Sequence, residues 1–473
     1  MKNIIITNCE RQKVAGRGGK TISFQRILFY VIYSMVKLSL AFSLMISAGC
    51  STVKETKIVR ENEKFALQMN SRIVSQETPG FYNAIYVENK GTKLLSGNRY
   101  SEDNGRSWSK YTYHPDFHTG LPYGYRRDRI TSVRDPFTGR IITIINSLDT
   151  PGLDPGVKEP KLALSTYYLR YTVSNDAGKT WLFDDPIIQA GDYTAQNPFE
   201  GIFIGKNSIY LGDMGSIPIV TKKGEILIPA HTTLVGTGGE LLNPGGGNTY
   251  TDVMVLIGTW TDGNKLSWKA SQRVKGDPKW STRGMIEPTL TELKDGRILM
   301  IMRGSNGGKL DPTDHLPSYK WYVISDDGGE KWSKPQPWCF EDGKPFFSPS
   351  SMSSLFKHSS GRCFWVGNLT TVNCQNNLPR WPLVIAEVNT ENLKLIHSSL
   401  LIIDSQQKED LPKGRLDISH FTLIEDRETK EIILTYPRNT NTYKSTEWIT
   451  IRLSIGKNKK VGNNLKRAKN DTK

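Results

Sequence analysis

Three copies of one short pattern, Ser-x-Asp-x-Gly-x-x-Trp, constrain this chain more than any other feature: SEDNGRSW at 101–108, SNDAGKTW at 174–181 and SDDGGEKW at 325–332. The spacing describes a tight turn. The Asp accepts hydrogen bonds from the amides of its own turn, the Gly supplies a positive φ, and the Trp returns to the sheet as a buried anchor. Apolar or aromatic runs precede the second and third copies, YYLRYTV at 167–173 and YKWYVI at 319–324. Such a device staples strands together and performs no chemistry.

The same supersecondary unit, an apolar run, a polar turn usually holding Gly and a second apolar run, recurs six times. The units fall at 81–97, 130–145, 217–230, 287–302, 350–367 and 420–436. Degenerate versions of the turn follow two of them, TWTDGNKLSW at 259–268 and EVNTENLKL at 387–395. Repeated strand pairs without long helical periodicity predict an all-β chain, a six-bladed β-propeller of four-stranded blades over 78–456. A length of 473 residues alone would suggest two or three domains. A closed ring of repeats accounts for most of it as one.

The ends of the chain read differently from the middle. Residues 27–46 are largely apolar, interrupted by Lys37, and lead into Ser47-Ala48-Gly49-Cys50-Ser51. An apolar run, small residues and then Cys resemble a bacterial lipoprotein signal, which makes residues 1–50 a signal segment and Cys50 the lipidated first residue of the mature chain. An uncleaved signal anchor is the alternative. Met35-Val36-Lys37 begins a compact signal by itself, so the true start can lie at Met35. Residues 51–77 read as a linker and 457–473 as a basic, disordered tail.

The formal net charge of +15 would ordinarily raise nucleic acid as a partner. Residues 1–49 and 457–473 each carry seven basic and one acidic residue, however, so the propeller is nearly balanced and no nucleic acid is expected. Of the five cysteines, Cys339, Cys363 and Cys374 fall in the propeller. In a chain with ample core they read as buried thiols, although a Cys363–Cys374 pair across neighbouring strands is open. No zinc-ligand spacing, phosphate loop or nucleophile elbow is present, so no metal or cofactor is expected.

The Asp boxes, the six units and the order of the strand motifs resemble the sialidase (neuraminidase) superfamily over about 80–456. That resemblance implies an exported exo-glycosidase acting on acidic glycans, with its site at the mouth of the propeller axis, opposite the boxes. It also implies an Arg triad for a substrate carboxylate, a Tyr nucleophile activated by a Glu, and an Asp acid/base. Guanidinium forks suit a carboxylate, and a sugar carrying one at its anomeric carbon disfavours an anionic nucleophile. MIEPTLTELKDGRILMIMRGS is similar to the family stretch carrying the Glu and one Arg, which places those roles on Glu287 and Arg303. LPRWPLVIAEVN is similar to the segment of a further triad member, placing it on Arg380. The family's Phe/Tyr-Arg-Ile-Pro is replaced by Phe81-Tyr82-Asn83-Ala84, and His420 stands where the family has its Tyr.

Aligning the starts of the inner strands gathers Tyr82, Arg129, Glu287, the Ser350 region and His420 at one mouth, with Gly215 beside Asp213 in the third unit. In the hydrolase reading Glu287 is nucleophile, base or activator, and His420, with Tyr82, supports proton transfer. Arg303, Arg380 and Arg129 hold an acidic sugar. A uronate lyase on the same scaffold would use the Arg pair to acidify the carbon proton that His420 or Tyr82 removes. A glycan-binding propeller would instead use Trp381, Tyr82 or Tyr125 as stacking faces. In each case the expected setting is the bacterial cell envelope, reached through the lipid anchor.

Overall fold

The computed structural model describes residues 67–75, 82–97, 99–110, 124–149, 163–247, 249–261, 263–440 and 445–456. Chain contacts divide the protein into Met1–Val59 and Arg60–Lys473, and every described residue belongs to the second unit. The expected signal segment, Cys50 and the basic tail lie outside the described residues.

Six antiparallel sheets follow one another along the chain, as the repeat predicts. Blade one holds Ala84–Tyr86, Leu94–Ser96 and Arg99–Ser101. Blade two holds Gly124–Arg134, Ile141–Asp149, Tyr167–Ser174 and Asp185–Pro186. In blade three, Ile209–Tyr210 and Ile219–Val220 make a broken inner edge to Ile226–Thr233, followed by Thr251–Trp260 and Leu266–Ala270. Blade four runs Ile286–Glu292, Ile298–Arg303, Lys320–Ser325 and Gln336–Pro337. Blade five is built on Ser353–Lys357, Cys363–Asn368 and Leu383–Asn389, with Lys394–Leu395 and Leu401–Asp404 both on its outer edge. Thr422–Glu425, Ile432–Thr440 and Ser445–Ile455 form blade six.

Its fourth strand comes from the other end of the chain. Leu67–Ser75 pairs antiparallel with Ser445–Ile455, from Leu67 opposite Ile455 to Ser75 opposite Trp448. This corrects the reading of 51–77 as a linker. The segment LQMNSRIVS is an edge strand with mostly polar or exposed positions, so it lacks the apolar alternation that marks a half-buried strand.

The cores lie between blades. Met254 and Leu256 pack toward blade two with Ile144, Leu169 and Tyr171, while their neighbours Val253, Val255 and Ile257 pack toward blade four with Met300, Met302 and Val323. The period-two alternation of one strand thus serves two interfaces, which is why its burial is continuous rather than one-sided. Cys363 and Cys374 are buried free thiols and Cys339 is partly exposed, with no disulfide among them.

Each box forms the turn its spacing implies. In the first, Asp103 Oδ1 accepts from the amides of Arg106 (3.0 Å) and Ser107 (2.8 Å), and Ser101 Oγ accepts from Gly105 N (2.8 Å). The residue before the turn Gly is also left-handed, as Asn104, Ala177 and Gly328 in the three copies. Trp108, Trp181 and Trp332 are half-buried rather than fully buried; Trp181 packs against Leu95 of blade one and Trp332 against the core shared with blade three. Burial works against ionisation of Asp103, but its bonds from Ser107, Ser101 and Arg106 prevail and draw its pKa down to about 2. Bonds from Thr180 and Ser174 do the same for Asp176, also to about 2.

A carboxylate with a depressed folded pKa stabilises the fold above its unfolded value near 3.9 and loses that contribution as the pH falls toward the folded value. The protein is therefore expected to lose stability between pH about 4 and about 2, with the boxes contributing. Thermal melts across that range should show a shallower acid slope in the D103N/D176N/D327N variant. Equal slopes in variant and parent would refute the assignment.

Candidate active site at the propeller mouth

Antiparallel blades put the start of every inner strand at one end of the axis and the turns carrying the boxes at the other. At the first of these ends the inner strand of blade four opens irregularly. The register slips between Ile286 and Thr289, and Glu287 adopts φ 47°, a left-handed conformation that costs a residue with a side chain on the order of 1–3 kcal/mol. Strain of this kind persists only where the surroundings impose it. Gly212 leaves the room it needs: a Cβ there would stand 2.6 Å from Glu287 Cγ, 2.9 Å from its Cα and 3.1 Å from His231 Cε1.

The Glu287 carboxylate is nearly buried. Its Oε1 accepts a short hydrogen bond from Arg303, while Oε2 is buried without a hydrogen-bond partner among the described residues. Arg303 is itself fixed on three sides, donating through Nε to Ser350 Oγ (2.7 Å) and through Nη2 to Asn377 Oδ1 (3.2 Å). The Glu287 amide donates to Nδ1 of His231 at 3.4 Å. Burial, then the charges of Arg303 and Arg283, push the pKa of His231 down to about 3, so this imidazole is neutral and able to accept.

A second cluster centres on Asp417, at the start of blade six. It accepts from Arg380 (3.0 Å) and Arg415 (3.2 Å) through Oδ2, and from Ser419 through Oδ1 (2.7 Å). Next to it His420 is held between carboxylates, with Nε2 3.2 Å from Asp213 Oδ2 and Nδ1 3.9 Å from Asp417 Oδ1. Burial opposes the charged form of His420, but Asp213 and Asp417 outweigh it and raise the pKa above the usual histidine value. For Asp213 burial is likewise overcome by His420 and by the Met214 amide, so its pKa falls. The two form an ion pair about one quarter exposed to solvent. The carboxylates on both sides of His420 therefore favour its charged form.

Glu287 and Arg303 meet as expected, and Arg380 and His420 are joined through Asp417 and Ser419. Tyr82 does not join them. Its ring lies over Gly97 of its own blade and lines a cleft of about 320 Å³ with Trp108 and Trp448. The neighbouring Asn83 reaches across the axis instead, donating to the Met214 carbonyl at 2.8 Å. Arg129 sits in the first strand of blade two, but its side chain lies outside the described residues.

Three members escaped the sequence reading. Asp417 stands inside the segment quoted for His420, but nothing in LDISHF marks it as the hub of three cations. His231 carries no motif. Arg283, four residues before Glu287, sits in the loop entering the same strand, where its Nε donates to the Thr249 carbonyl at 3.3 Å.

The arrangement offers a carboxylate with one free oxygen, an imidazole paired with a carboxylate and several guanidiniums around one axis. Among the described residues no group of His, Cys, Asp and Glu is placed to hold a metal ion. A cavity of about 800 Å³ lies away from this chemistry, on the rim of blade three between Gln189, Asp252, Arg273 and Trp332.

The chain is similar to several solved structures. They include the Hadza microbial sialidase Hz136 (14% identity over 76% of this chain and 58% of that one, TM-score 0.48). A protein of unknown function from Dyadobacter fermentans DSM 18053 shows 16% identity over 84% of this chain and 97% of that one, with a TM-score of 0.47. An alpha-L-arabinanase of Penicillium chrysogenum shows 13% identity over 77% and 86%, with a TM-score of 0.44. The chain thus spans 58% of the length of the first of these. A comparison with curated proteins found no match. Residues 156–438, more than half of the sequence, match the BNR repeat-like domain, and with its boxes and six blades in place the chain belongs to that family.

Proposed function

We propose that this propeller hydrolyses terminal acidic sugars from glycans at its axial mouth, with a catalytic set unlike that of a simple sialidase. One observation carries the reading: Glu287 is held in a strained backbone, with one oxygen clamped by Arg303 and the other uncommitted. Strained, polar, converging groups of this kind are characteristic of catalytic centres. In the proposed step Oε2 of Glu287 takes a proton from water as that water attacks the anomeric carbon. His420 gives its proton to the departing glycosidic oxygen, and Asp213 stabilises the imidazolium before transfer. Hydrolysis then balances: Glu287 gains one proton as His420 loses one, and proton exchange with solvent restores both groups. The excess of guanidinium groups favours a sugar bearing negative charge.

Lipid attachment at Cys50, and with it action at the cell envelope, belongs to the same proposal and rests on residues 27–51 alone. Incubating the protein with sialylated, uronic-acid and sulfated oligosaccharides tests the activity. New reducing ends without an ultraviolet chromophore are the expected result. A chromophore would mean β-elimination, and retention without turnover would mean a binding protein. Either one overturns the hydrolase reading.

A further inference from the structure

The cations of the mouth differ in what already occupies them. Arg303 spends Nε on Ser350, Nη1 on Glu287 and Nη2 on Asn377. Arg380 and Arg415 both serve Asp417. Arg283 is different. Among the described residues its guanidinium makes one hydrogen bond, from Nε to the Thr249 carbonyl, and no carboxylate stands within ion-pair distance.

Its position is nonetheless tightly built. The Arg283 amide donates to Ser305 Oγ (3.1 Å) and that of Thr282 to the Ser305 carbonyl (2.9 Å). Gly284 follows at φ 72°, where a Cβ would stand 2.2 Å from the Thr251 carbonyl oxygen. Gly247 lies over the stem, its missing Cβ only 3.2 Å from Arg283 Cδ. A rigid loop therefore presents a half-buried guanidinium whose terminal nitrogens are uncommitted. Burial, then the charge of Arg303, push its pKa down to about 10, and Glu287, Tyr210 and Arg380 are also within electrostatic range. A buried cation without a counter-charge is costly, and its retention at a mouth points to an anion supplied from outside.

We infer that Arg283 receives the carboxylate of the substrate sugar, and that Arg303 and Arg380 instead position Glu287 and Asp417. The inference rests on the acidic-glycan reading and deepens it. The family resemblance assigned the carboxylate to Arg303 and Arg380, but Arg303 is committed through all three nitrogens and Arg380 is tied through Nη1 to Asp417 and Ser419. A planar carboxylate fits the two terminal nitrogens of Arg283 side by side, which a lysine ammonium cannot reproduce.

Calorimetric titration of the full chain with glucuronate, N-acetylneuraminate and neutral glucose tests this. The wild type is expected to bind at least one of the two acids in clear preference to glucose. Arg283→Gln should abolish that preference, a loss on the order of 10- to 100-fold in affinity for the acid, and leave glucose binding unchanged. If the Gln variant fails to fold, Arg283→Met keeps the packed stem while removing the charge and serves instead. Arg303→Gln should depress turnover far more than acid binding. A folded Arg283 variant that keeps the full acid preference overturns the inference while leaving the hydrolase reading intact. Acid preference lost in the variant, with no turnover in the wild type, supports Arg283 and sinks hydrolysis. A wild type that binds neither acid sinks both.

Discussion

Glu287→Gln is expected to lower kcat on an acidic oligosaccharide by about 10²–10⁴-fold, the usual contribution of a positioned proton-transfer group. The substitution preserves shape and removes the group that accepts the proton. Arg303 also loses its counter-charge, so a modest rise in KM should accompany the loss. Because Gly212 leaves room beside Glu287 and the Glu287 amide keeps its bond to His231, the fold should tolerate the change, and circular dichroism melts should confirm it. Activity within about threefold of the parent, in a folded variant, would remove Glu287 from the chemistry.

Arg438→Ala is expected to destabilise the protein by about 3–5 kcal/mol, the cost of leaving buried charge without its partner. Arg438 donates to both oxygens of Asp410 (2.7 and 2.6 Å), to Asp404 (3.1 Å) and to the Ser405 carbonyl (3.0 Å). Asp410 is 1% exposed, so water cannot replace the lost guanidinium without local opening. The cluster ties the second strand of blade six to the outer edge of blade five, and Tyr436 donates to the same Asp404 at 3.0 Å. Urea denaturation with the slope held constant measures the effect. Adding Asp410→Asn should restore part of it. A loss below about 1 kcal/mol would mean that the cluster behaves as an exposed pair.

The blades were legible because their punctuation is local: an Asp, a Gly and a Trp within eight residues determine a turn without help from distant chain. Glu287 and Arg303 were legible for a related reason, since they end two adjacent strands of one hairpin and their spacing fixes their meeting. Tyr82 shows the limit. Successive residues of an extended chain point to opposite sides, so placing the strand start one residue early put Tyr82 where Asn83 stands. His231, Arg283 and Asp417 reach the site only because the ring brings blades three, four and six around one axis, and no local spacing encodes that. The surroundings of His420 depend in the same way on Asp213, which stands far from it in sequence.

The strand Leu67–Ser75 sets the order in which this protein can form. Its ladder partner, Ser445–Ile455, is the final strand described, so the earliest strand of the propeller has no place to pair until the latest has been made. Blades one to five can assemble by short hairpins as they appear. Blade six cannot be completed by any stretch of contiguous chain, and the large loop it closes makes this the slow, entropically opposed event. Until then the propeller is an open arc with exposed faces at both ends, and its function waits on a clasp made by segments from opposite ends of the ring.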